Sequence, residues 1–488
     1  MCYLISKFKA IVLFLFVIII SCSNNNLDHD KQIANLMDKY YEVGLFKGSV
    51  LVAHNNEVVF EKGYGEANRE WQINNTIDTK FRLGSATKPF TAVLTMKLVE
   101  EGKINLDGTI SDYLSDFRQD IGQKVTIYHL LTHSSGIGLP KMSADEYWDF
   151  FQKEWTTKEL VKKLCSGELK FEPGSEFQYS SAGHILLGAI MEEVTGLSHE
   201  QILKEYILEP YGLKDTGVDY PDKILSKRAD GYQTNYGLGN ARYKYMPSSH
   251  ASGSMYSTVE DLYKWDQLLR SDFLSDESKD RMFSHQIESH RGSFGLGWFI
   301  DTVRVDNTYQ TRVFHAGDVS GFCALYVSVL ETGDFVALLA NQEGINYYDI
   351  AFTILDMLNG IIPEDPKEYL SDRLRITYFD QGIDSLKSLY AKLSQTALND
   401  FTIVEDEIIE LGYDVLFVGD IISAIEIFKI NVKLHPNSSN AFDSLGEGYL
   451  EHGNYQAALH NYQKALELDP ANTNALNMID KIKSILNK

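Results

Sequence analysis

Two stretches of the sequence alternate β-branched and aromatic residues around short polar turns. Residues 46–65, FKGSVLVAHNNEVVFEKGYG, place two such runs on either side of Asn55 and Asn56. An asparagine pair in this position is typical of a β-hairpin. Residues 321–341, GFCALYVSVLETGDFVALLAN, repeat the arrangement around a Thr-Gly-Asp turn. The pattern therefore predicts one β-hairpin near the start of this region and another near its end.

Between the two hairpins the spacing changes to that of helices. KPFTAVLTMKLVEEG and AGHILLGAIMEEVTG each carry a long apolar run that ends at a glycine, which is a common helix stop. Strands at both ends with helices between them predict an α+β fold, in which an antiparallel sheet receives a helical insertion. Two prolines in NGIIPEDPKE end this region, and we predict a linker over 359–376.

The C-terminal part repeats with the tetratricopeptide period, because Pro436 and Pro470 stand 34 residues apart. We therefore predict an all-α tetratricopeptide (TPR) repeat domain over 377–488, with a final capping helix and a degenerate first helix pair. The alternative is an ordinary helical tail. The small and large residues at signature positions are Phe442, Leu445, Gly446, Tyr449, Ala458, Tyr462 and Ala465 in 439–472, and Ile408, Leu411, Gly412, Ala424 and Phe428 in 405–438.

The pattern at the N-terminus predicts an export signal. Lys7 and Lys9 precede the apolar run AIVLFLFVIII, which is short for a membrane span. The following Ile-Ile-Ser-Cys resembles a bacterial lipobox, which implies a signal peptide over 1–21, lipidation of Cys22 and a flexible tether over 22–34. We therefore expect a lipid-anchored protein of the bacterial cell envelope, periplasmic or surface-facing. The alternatives are an uncleaved anchor or a coincidental cysteine.

Charge and cysteine content limit the kinds of partner and metal site that the sequence allows. The 488 residues carry a formal net charge of -23, and nucleic-acid binding needs basic surface, so we expect no nucleic-acid partner. Cys165 and Cys323 lie in apolar contexts, VKKLCSG and GFCALYV. We expect both to be buried free thiols, with a disulfide between them as the alternative, and we expect no metal site.

Candidate chemistry begins in FRLGSATKPF, which places Ser85 three residues before Lys88. If a helix starts here, Pro89 falls in its first turn, where a missing N–H costs nothing. Ser85 and Lys88 then share one face. A serine hydroxyl needs a neighbouring base, and a desolvated lysine can serve. The alternative is a serine that only caps the helix.

Two later stretches could join this pair. FEPGSEFQYSSAGHILLG, residues 171–188, holds Tyr179 in a loop between a Pro-Gly turn and an apolar helix. FHAGDVSGF, residues 314–322, enters a β-rich run through two glycines, where a backbone can pass close to a substrate.

The order S-x-x-K, Y-S-x, H-x-G resembles the serine β-lactamase and penicillin-binding-protein family, and most closely its class C-like branch, which includes esterases and D-amino-acid peptidases. Supporting stretches are VTIYHLLTHSSGI, ILEPYGLKDTG, ASGSMYSTVEDLYKW and FGLGW. The resemblance spans roughly residues 35–345. It implies a β-lactamase-related serine hydrolase domain, which we place at 35–358.

The resemblance implies a role for each matching residue and no cofactor. Ser85 would be the acylated nucleophile, and Lys88 and Tyr179 would share the proton transfers. Ser181, His315 and Gly317 would bind substrate. The backbone N–H groups of Ser85 and Asp318 would form the oxyanion hole. Each of four side chains also has a purely structural interpretation. These are packing for Tyr179, helix capping for Ser181, an ordinary strand position for His315 and a helix end for His133.

Two departures from the family pattern affect the substrate. Tyr-Ser-Ser stands where the family has Y-x-N, and His-Ala-Gly stands where it has K-T-G. A mostly neutral histidine suits the carboxylate of a β-lactam less well than a lysine does. We therefore favour an esterase or D-amino-acid peptidase acting on a small ester, amide or peptide. The rivals are a D,D-peptidase or β-lactamase, and a weakly catalytic or non-catalytic acyl-binding scaffold that recruits a protein through its repeats.

Overall fold

The computed structural model describes residues 29–234, 237–305 and 308–486. The chain forms two compact units. The first comprises the residues up to Tyr232 together with Asn240–Asp365, and the second comprises Gln233–Gly239 together with Pro366–Lys488. The predicted signal peptide and Cys22 lie outside the described residues. Within the three described ranges, no helix is both long and apolar enough to cross a membrane.

The first unit is built on a large antiparallel sheet. The strands of the chain are β1 Gly48–His54, β2 Glu57–Tyr64, β3 Glu66–Asn68, β4 Ile73–Asn74, β5 Phe81–Arg82, β6 Gly217–Val218, β7 Tyr232–Gln233, β8 Gly239–Asn240, β9 Met255–Ser257, β10 Ile287–Ser289, β11 Gly292–Phe294, β12 Phe299–Val305, β13 Thr308–Val319, β14 Phe322–Val329 and β15 Phe335–Ala340. Eight of them form the large sheet, in the order β10-β11-β12-β13-β14-β15-β1-β2, and the short strands form smaller sheets of two or three strands.

Both predicted hairpins are confirmed, and they lie side by side in the sheet. Asn55 and Asn56 join β1 to β2 with φ angles of 52° and 63°, the left-handed region that asparagine tolerates. Strand β1 also pairs with β15, with Gly48 opposite Ala340. The first and last long strands of the unit are therefore neighbours, and the helical insertion leaves and rejoins the sheet between them.

Helices cover both faces of the sheet. The helix over 29–42 (α1) and α13 pack on one face, where Ile33 and Ile354 join strand residues such as Val50 and Leu325 in one core. The helical insertion covers the other face. Its helices are α2 Lys88–Glu100, α3 Ile110–Tyr113, α4 Gln119–Gly122, α5 Ile127–Leu131, α6 Ala144–Phe151, α7 Thr157–Leu164, α8 Ser181–Thr195, α9 His199–Leu203, α10 Glu209–Tyr211, α11 Val259–Arg270 and α12 Asp276–Met282, and α13 spans Tyr347–Leu358.

One stretch of sheet edge is open beside the helical insertion. Strand β12 pairs with β13 only as far as the Phe299–Phe314 pair, whereas β13 continues along β14 to Val319. Residues 315–319 therefore pair through β14 alone within the described residues.

The second unit is a stack of helix pairs, as the period of 34 residues predicts. Gly412 faces the Phe428 ring too closely for a larger side chain, and a Cβ on Gly446 would lie 3.1 Å from the Tyr462 ring, a tight contact. Helix α14 begins inside the segment predicted as a linker. The helices are α14 Leu370–Gln381, α15 Ile383–Thr396, α16 Glu405–Phe417, α17 Ile421–Leu434, α18 Ser439–Glu451, α19 Tyr455–Leu468 and α20 Thr473–Leu486. The predicted fold class, a β-lactamase-like sheet with a helical insertion followed by tetratricopeptide helices, is confirmed.

Candidate active site

Ser85 lies in a single 3₁₀ turn, Gly84–Thr87, which connects β5 to α2. Gly84 has a φ of 52°, a conformation that glycine adopts without strain. Tyr326 of β14 donates a hydrogen bond of 3.0 Å from its hydroxyl to the carbonyl of Ala86. The turn is therefore anchored to the sheet. Pro89 sits in the first turn of α2, as the sequence predicts.

Lys88 is fully buried directly beside Ser85. Its Nζ lies 3.1 Å from Ser85 Oγ and donates a hydrogen bond of 2.9 Å to the carbonyl of Ser252. Burial lowers the pKa of Lys88 to about 7, with the positive charge of Lys244 as the second cause. At neutral pH a large fraction of Lys88 is therefore an unprotonated amine, which can accept the hydroxyl proton of Ser85.

Tyr179 reaches the same place from the loop before α8. Lys88 Nζ lies 4.9 Å from the centroid of its ring, and the nearly parallel ring of Phe299 lies at 6.5 Å. Burial raises the pKa of Tyr179, and a hydrogen bond with Ser85 opposes that rise. Tyr179 is therefore a neutral phenol at ordinary pH, able to donate a proton in the cleft.

Two histidines that the sequence does not assign to the site lie beside Tyr179: His133 contacts it, and His184 contacts His133. His133 accepts a hydrogen bond of 3.1 Å at Nδ1 from the backbone N–H of Ser180, and its ring centroid lies 4.5 Å from that of Tyr179. His184 lies 5.0 Å from His133. Burial, together with Lys88, holds the pKa of each well below its ordinary value, so both are neutral.

His133 occupies the helix end that its sequence context predicts, with a positive φ of 55°. Its contact with Tyr179 was missed because the two residues are far apart in sequence. The sequence offers one signal for this contact, the polar turn THSSG. It follows an apolar helix, and no glycine stands directly after the last helical residue, where one is usual.

The 3₁₀ turn Gly84–Thr87, here called the nucleophile turn because it carries the candidate nucleophile Ser85, crosses β13 closely. Neither Gly84 nor Gly317 has room for a side chain at this crossing. A Cβ on Gly317 would lie 1.9 Å from the carbonyl oxygen of Leu83 and 2.7 Å from the backbone nitrogen of Ser85. A Cβ on Gly84 would lie 2.8 Å from the carbonyl oxygen of Asp318. The crossing therefore brings together the two backbone segments that carry the amides of Ser85 and Asp318, the pair named as a predicted oxyanion hole.

His315 is buried on β13, two residues before Gly317. Its Nδ1 lies 2.6 Å from the carbonyl oxygen of Ala316, to which it donates, and its Nε2 has no hydrogen-bond partner. Burial, with Lys88 next, lowers the pKa of His315 to about 3. His315 is therefore a neutral imidazole whose free nitrogen is an acceptor, and it supplies no positive charge.

Ser181 is the first residue of α8 and stands on the same loop as Tyr179. The hydrogen bonds that fix this loop come from its neighbour: Ser180 donates 2.6 Å from its hydroxyl to the carbonyl of Ile137. Ser180 is also the N-cap residue, without a capping side-chain bond. Ser181 is thus a sequence neighbour of Tyr179, and none of its described contacts defines a role for it.

The arrangement has the parts of a serine acyl-transfer site. A hydroxyl, a buried amine, a neutral phenol and two closely crossed backbone segments converge at one place. Among the described residues no group of His, Cys, Asp or Glu could hold a metal ion. Cys165 and Cys323 are buried free thiols, as expected.

Comparison with known proteins decides the family. The family model described as Beta-lactamase matches residues 30–353, well over half of the chain. The chain belongs to the β-lactamase family of serine hydrolases. A model described as Tetratricopeptide repeat matches 439–472, which confirms the predicted repeat at the same residues.

Relatives within the β-lactamase family include penicillin-binding proteins. The chain is 26% identical over 348 residues to Penicillin-binding protein 4* of Bacillus subtilis, covering 66% of this chain and 74% of that protein. It spans 63% to 66% of the length of other curated relatives. The octameric penicillin-binding protein homologue of Pyrococcus abyssi has a similar structure, with a TM-score of 0.57, 29% identity and coverage of 68% and 77% of the two chains.

The D-amino acid amidase of Ochrobactrum anthropi SV3 also shares the fold. Its TM-score is 0.59 at 22% identity, over 68% of this chain and 99% of that chain. At this identity the likeness supports the fold alone. The catalytic unit is thus shared across the family, whereas the substrate must be argued from the residues of this cleft.

Proposed function

We propose that this β-lactamase-family protein hydrolyses small esters or D-amino-acid amides and peptides through an acyl-enzyme on Ser85. The observation that carries the proposal is the 3.1 Å approach of Lys88 Nζ to Ser85 Oγ, combined with complete burial of Lys88 and a pKa of about 7. An ordinary surface lysine would be protonated at neutral pH and unable to act as a base.

The proposed reaction has two acyl transfers. Ser85 Oγ attacks the substrate carbonyl while its proton passes to the neutral amine of Lys88. The amides of Ser85 and Asp318 stabilise the oxyanion, and the leaving group departs with a proton delivered through Lys88 and Tyr179. Water then attacks the acyl-enzyme, gives a proton to the same pair and releases Ser85 and the acid.

Neutral His315 supports the ester and D-amino-acid preference over a β-lactamase or D,D-peptidase. A pKa of about 3 leaves this position without the charge that a lysine there would offer to a carboxylate. The rival activities are separated by comparing turnover of 4-nitrophenyl esters, D-alanine amide, a D-alanyl-D-alanine peptide and nitrocefin under one set of conditions.

A fluorophosphonate probe tests the nucleophile. The full-length chain in detergent is treated with the probe, and its intact mass is measured beside that of Ser85→Ala. One adduct on the wild type and none on the variant is the expected result. A folded wild-type protein that stays unlabelled and turns over none of the four substrates would move weight to the acyl-binding scaffold.

We further propose that Cys22 carries a lipid anchor and that the repeats recruit a protein. The lipobox-like sequence supports the anchor, and the matched tetratricopeptide repeat supports a protein partner. Cys22→Ala should move the protein from the membrane fraction to the soluble fraction. Affinity purification of the full chain beside a chain that ends at Asp365 should reveal a partner that depends on the repeats.

A further inference from the structure

Tyr179 lies in a stretch of irregular backbone. Residues 177–180 belong to no helix or strand, and α8 begins only after them. The backbone groups on both sides of Tyr179 bind instead to one residue, His133. The N–H of Gln178 donates to the carbonyl of His133 at 2.8 Å, and the N–H of Ser180 donates to its Nδ1 at 3.1 Å. The candidate proton donor therefore lies between two hydrogen bonds to a single histidine.

The ring of His133 also packs against this stretch. Its centroid lies 4.5 Å from that of Tyr179 and 5.9 Å from that of Phe177. The ring of Phe294 lies 5.2 Å away, and His133 is 1% exposed. The imidazole is thus enclosed, and one residue contacts both the ring of Tyr179 and the backbone on either side of it.

The backbone of His133 has an uncommon conformation. Its φ of 55° lies in the left-handed region, which a residue with a side chain seldom adopts unless its surroundings fix it. In this conformation the carbonyl and the ring of His133 both reach residues 178–180. The N–H of Ser134 donates to the carbonyl of His129 at 2.9 Å, and its carbonyl accepts from the N–H of Gly174 at 2.8 Å. The turn that carries His133 is therefore tied to α5 and to the loop before α8.

The hydrogen bond from Ser180 also determines the tautomer of His133. A backbone N–H can only donate, so Nδ1 accepts and the proton of the neutral ring resides on Nε2. Ser180 is buried, and a side chain without an acceptor at the Nδ1 position would leave its N–H unpaired in the core, which is unfavourable. The loop therefore depends on an acceptor at this position.

Tyr179 needs this restraint because its phenol must meet two other groups. Lys88 Nζ lies 4.9 Å from its ring centroid, and a hydrogen bond joins Tyr179 to Ser85. Groups that transfer protons must be held within about 0.5 Å of the productive geometry. Irregular backbone does not supply that precision by itself, so the contacts with His133 supply it.

We propose that His133 is a positioning residue, which holds the Tyr179 phenol beside Ser85 and Lys88 so that this phenol delivers the proton to the leaving group. The inference rests on the proposed hydrolase function and adds to it a residue outside S-x-x-K, Y-S-x and H-x-G. A histidine that served only the stability of the fold would affect all substrates alike. A histidine that positions the proton donor affects most strongly the substrates whose leaving group needs a proton.

Two substitutions with the same side-chain shape test the acceptor. His133→Asn places an amide oxygen near the position of Nδ1, and asparagine tolerates the left-handed conformation. His133→Leu has the same branching and no acceptor. If His133→Leu does not fold, His133→Gln takes its place, since its amide lies one bond farther out than Nδ1. His199→Phe is the matched control, because it removes another buried histidine, whose ring contacts His250 at 5.2 Å instead of Tyr179.

Leaving-group dependence measures the positioning. The substrates are 4-nitrophenyl pentanoate, whose phenolate leaves readily without a proton, and trifluoroethyl pentanoate, whose alkoxide needs one. The measured quantity is kcat/KM for the first ester divided by kcat/KM for the second, which is independent of the fraction of folded enzyme. The ratio should rise at least about tenfold in His133→Leu and stay within about threefold of the wild type in His133→Asn and His199→Phe. A wild-type ratio in His133→Leu would overturn the proposal.

A double variant shows whether His133 acts through Tyr179. In Tyr179→Phe the phenol is absent, so adding His133→Leu to it should change the ratio by less than about twofold. A further rise of about tenfold would mean that His133 influences the leaving group by another route, and it would overturn the positioning role.

Amide hydrogen exchange tests the anchor without any turnover. Peptides that cover residues 178–180 of the full-length protein are followed by mass spectrometry in the wild type, His133→Asn and His133→Leu. The Ser180 N–H should exchange at least about tenfold faster in His133→Leu than in His133→Asn, which should match the wild type. Equal exchange in the two variants would overturn the proposal. Unequal exchange with no ester turned over would reject the hydrolase function and support the anchor.

Discussion

In the repeat unit, buried charged side chains have partners. Arg375 pairs with Asp414, and Asp443 accepts hydrogen bonds from Asn472 at 3.1 Å and Asn474 at 2.8 Å. In the cleft of the catalytic unit, Lys88 has no carboxylate, and the free ring nitrogens of the nearby histidines have no partner. Burial with a partner holds helices together, whereas burial without one keeps an amine and imidazoles neutral for chemistry.

The glycines of the two units differ in the same way. Gly412 makes room for the ring of Phe428, so its small size allows two helices to pack. Gly317 makes room for the backbone of Leu83 and Ser85, so its small size allows two amides to converge. A glycine beside a side chain indicates packing, and a glycine beside a backbone in a cleft indicates a site where amide geometry matters.

The largest effect is expected when the unpaired lysine is removed. Lys88→Met should lower kcat/KM by about a thousandfold or more, because Ser85 loses its base. The melting temperature at neutral pH should not fall, since a buried lysine without a carboxylate partner is replaced by an apolar chain. Ester kinetics and thermal melts of both proteins check this pair of outcomes.

The same variant carries a pH test of its stability. Unfolded Lys88 holds its proton up to about its ordinary pKa of 10.5, whereas folded Lys88 releases it near 7. The wild type therefore gains stability as pH rises from 7 toward 10.5, and the penalty is largest below pH 7. The advantage of Lys88→Met should be greater at pH 6 than at pH 10. An advantage independent of pH would argue against a buried, depressed lysine.

A glycine-to-alanine change in each unit should separate chemistry from packing. Gly317→Ala pushes β13 away from the nucleophile turn and should lower kcat about a hundredfold through the oxyanion site. Gly412→Ala places a Cβ 2.3 Å from the Phe428 ring and should cost about 1–3 kcal/mol of repeat stability. Its ester turnover should match the wild type. Equal activity losses in the two variants would contradict this division.

Removal of Arg375, the arginine paired with Asp414, should have a smaller effect, and it should change stability alone. Arg375→Met leaves the mostly buried carboxylate of Asp414 unpaired and should destabilise the repeat unit by about 2 kcal/mol. Arg375→Met/Asp414→Leu should recover most of that loss. Amide hydrogen exchange in α14 and α16 of the full chain measures both changes. A double variant no more stable than the single one would mean that the arginine acts through contacts other than Asp414.

Local patterns in the sequence predict much of this structure. The Asn55-Asn56 hairpin, the helix after Pro89 and the 34-residue period each depend on neighbours in the chain, so the sequence alone defines them. The motif order also identifies Ser85, Lys88 and Tyr179 as candidates, and the structure brings all three together. Their catalytic roles stay predictions until the variants are measured.

The rest of the site depends on long-range packing. Lys244 stands in ARYKYMP, where a lysine between tyrosines looks like an ordinary surface residue. Only the fold buries it against α6. His133 likewise contacts Tyr179 across 46 residues of sequence. Burial is a property of the assembled core, so neither composition nor spacing reveals which lysine loses water or which histidine becomes neutral.

The smallest effect concerns the charge that Lys244 exerts on Lys88. The acid limb of the kcat/KM profile should lie near pH 7, because activity needs neutral Lys88. The neighbours His133, His184 and His315 are neutral over this range, and Tyr179 stays protonated. The positive charge of Lys244 is the one that lowers the pKa of Lys88 besides burial.

Removing that cation should move the limb upward in pH. Lys244→Met eliminates a positive charge that disfavours protonated Lys88, so the pKa of Lys88 rises and a higher pH is needed for the free amine. The profile is measured with the neutral ester 4-nitrophenyl pentanoate, so that substrate charge does not contribute. Lys244→Arg should keep the limb in place. A limb that stays fixed in Lys244→Met would show that burial alone depresses Lys88, and the two lysines would then be electrostatically independent.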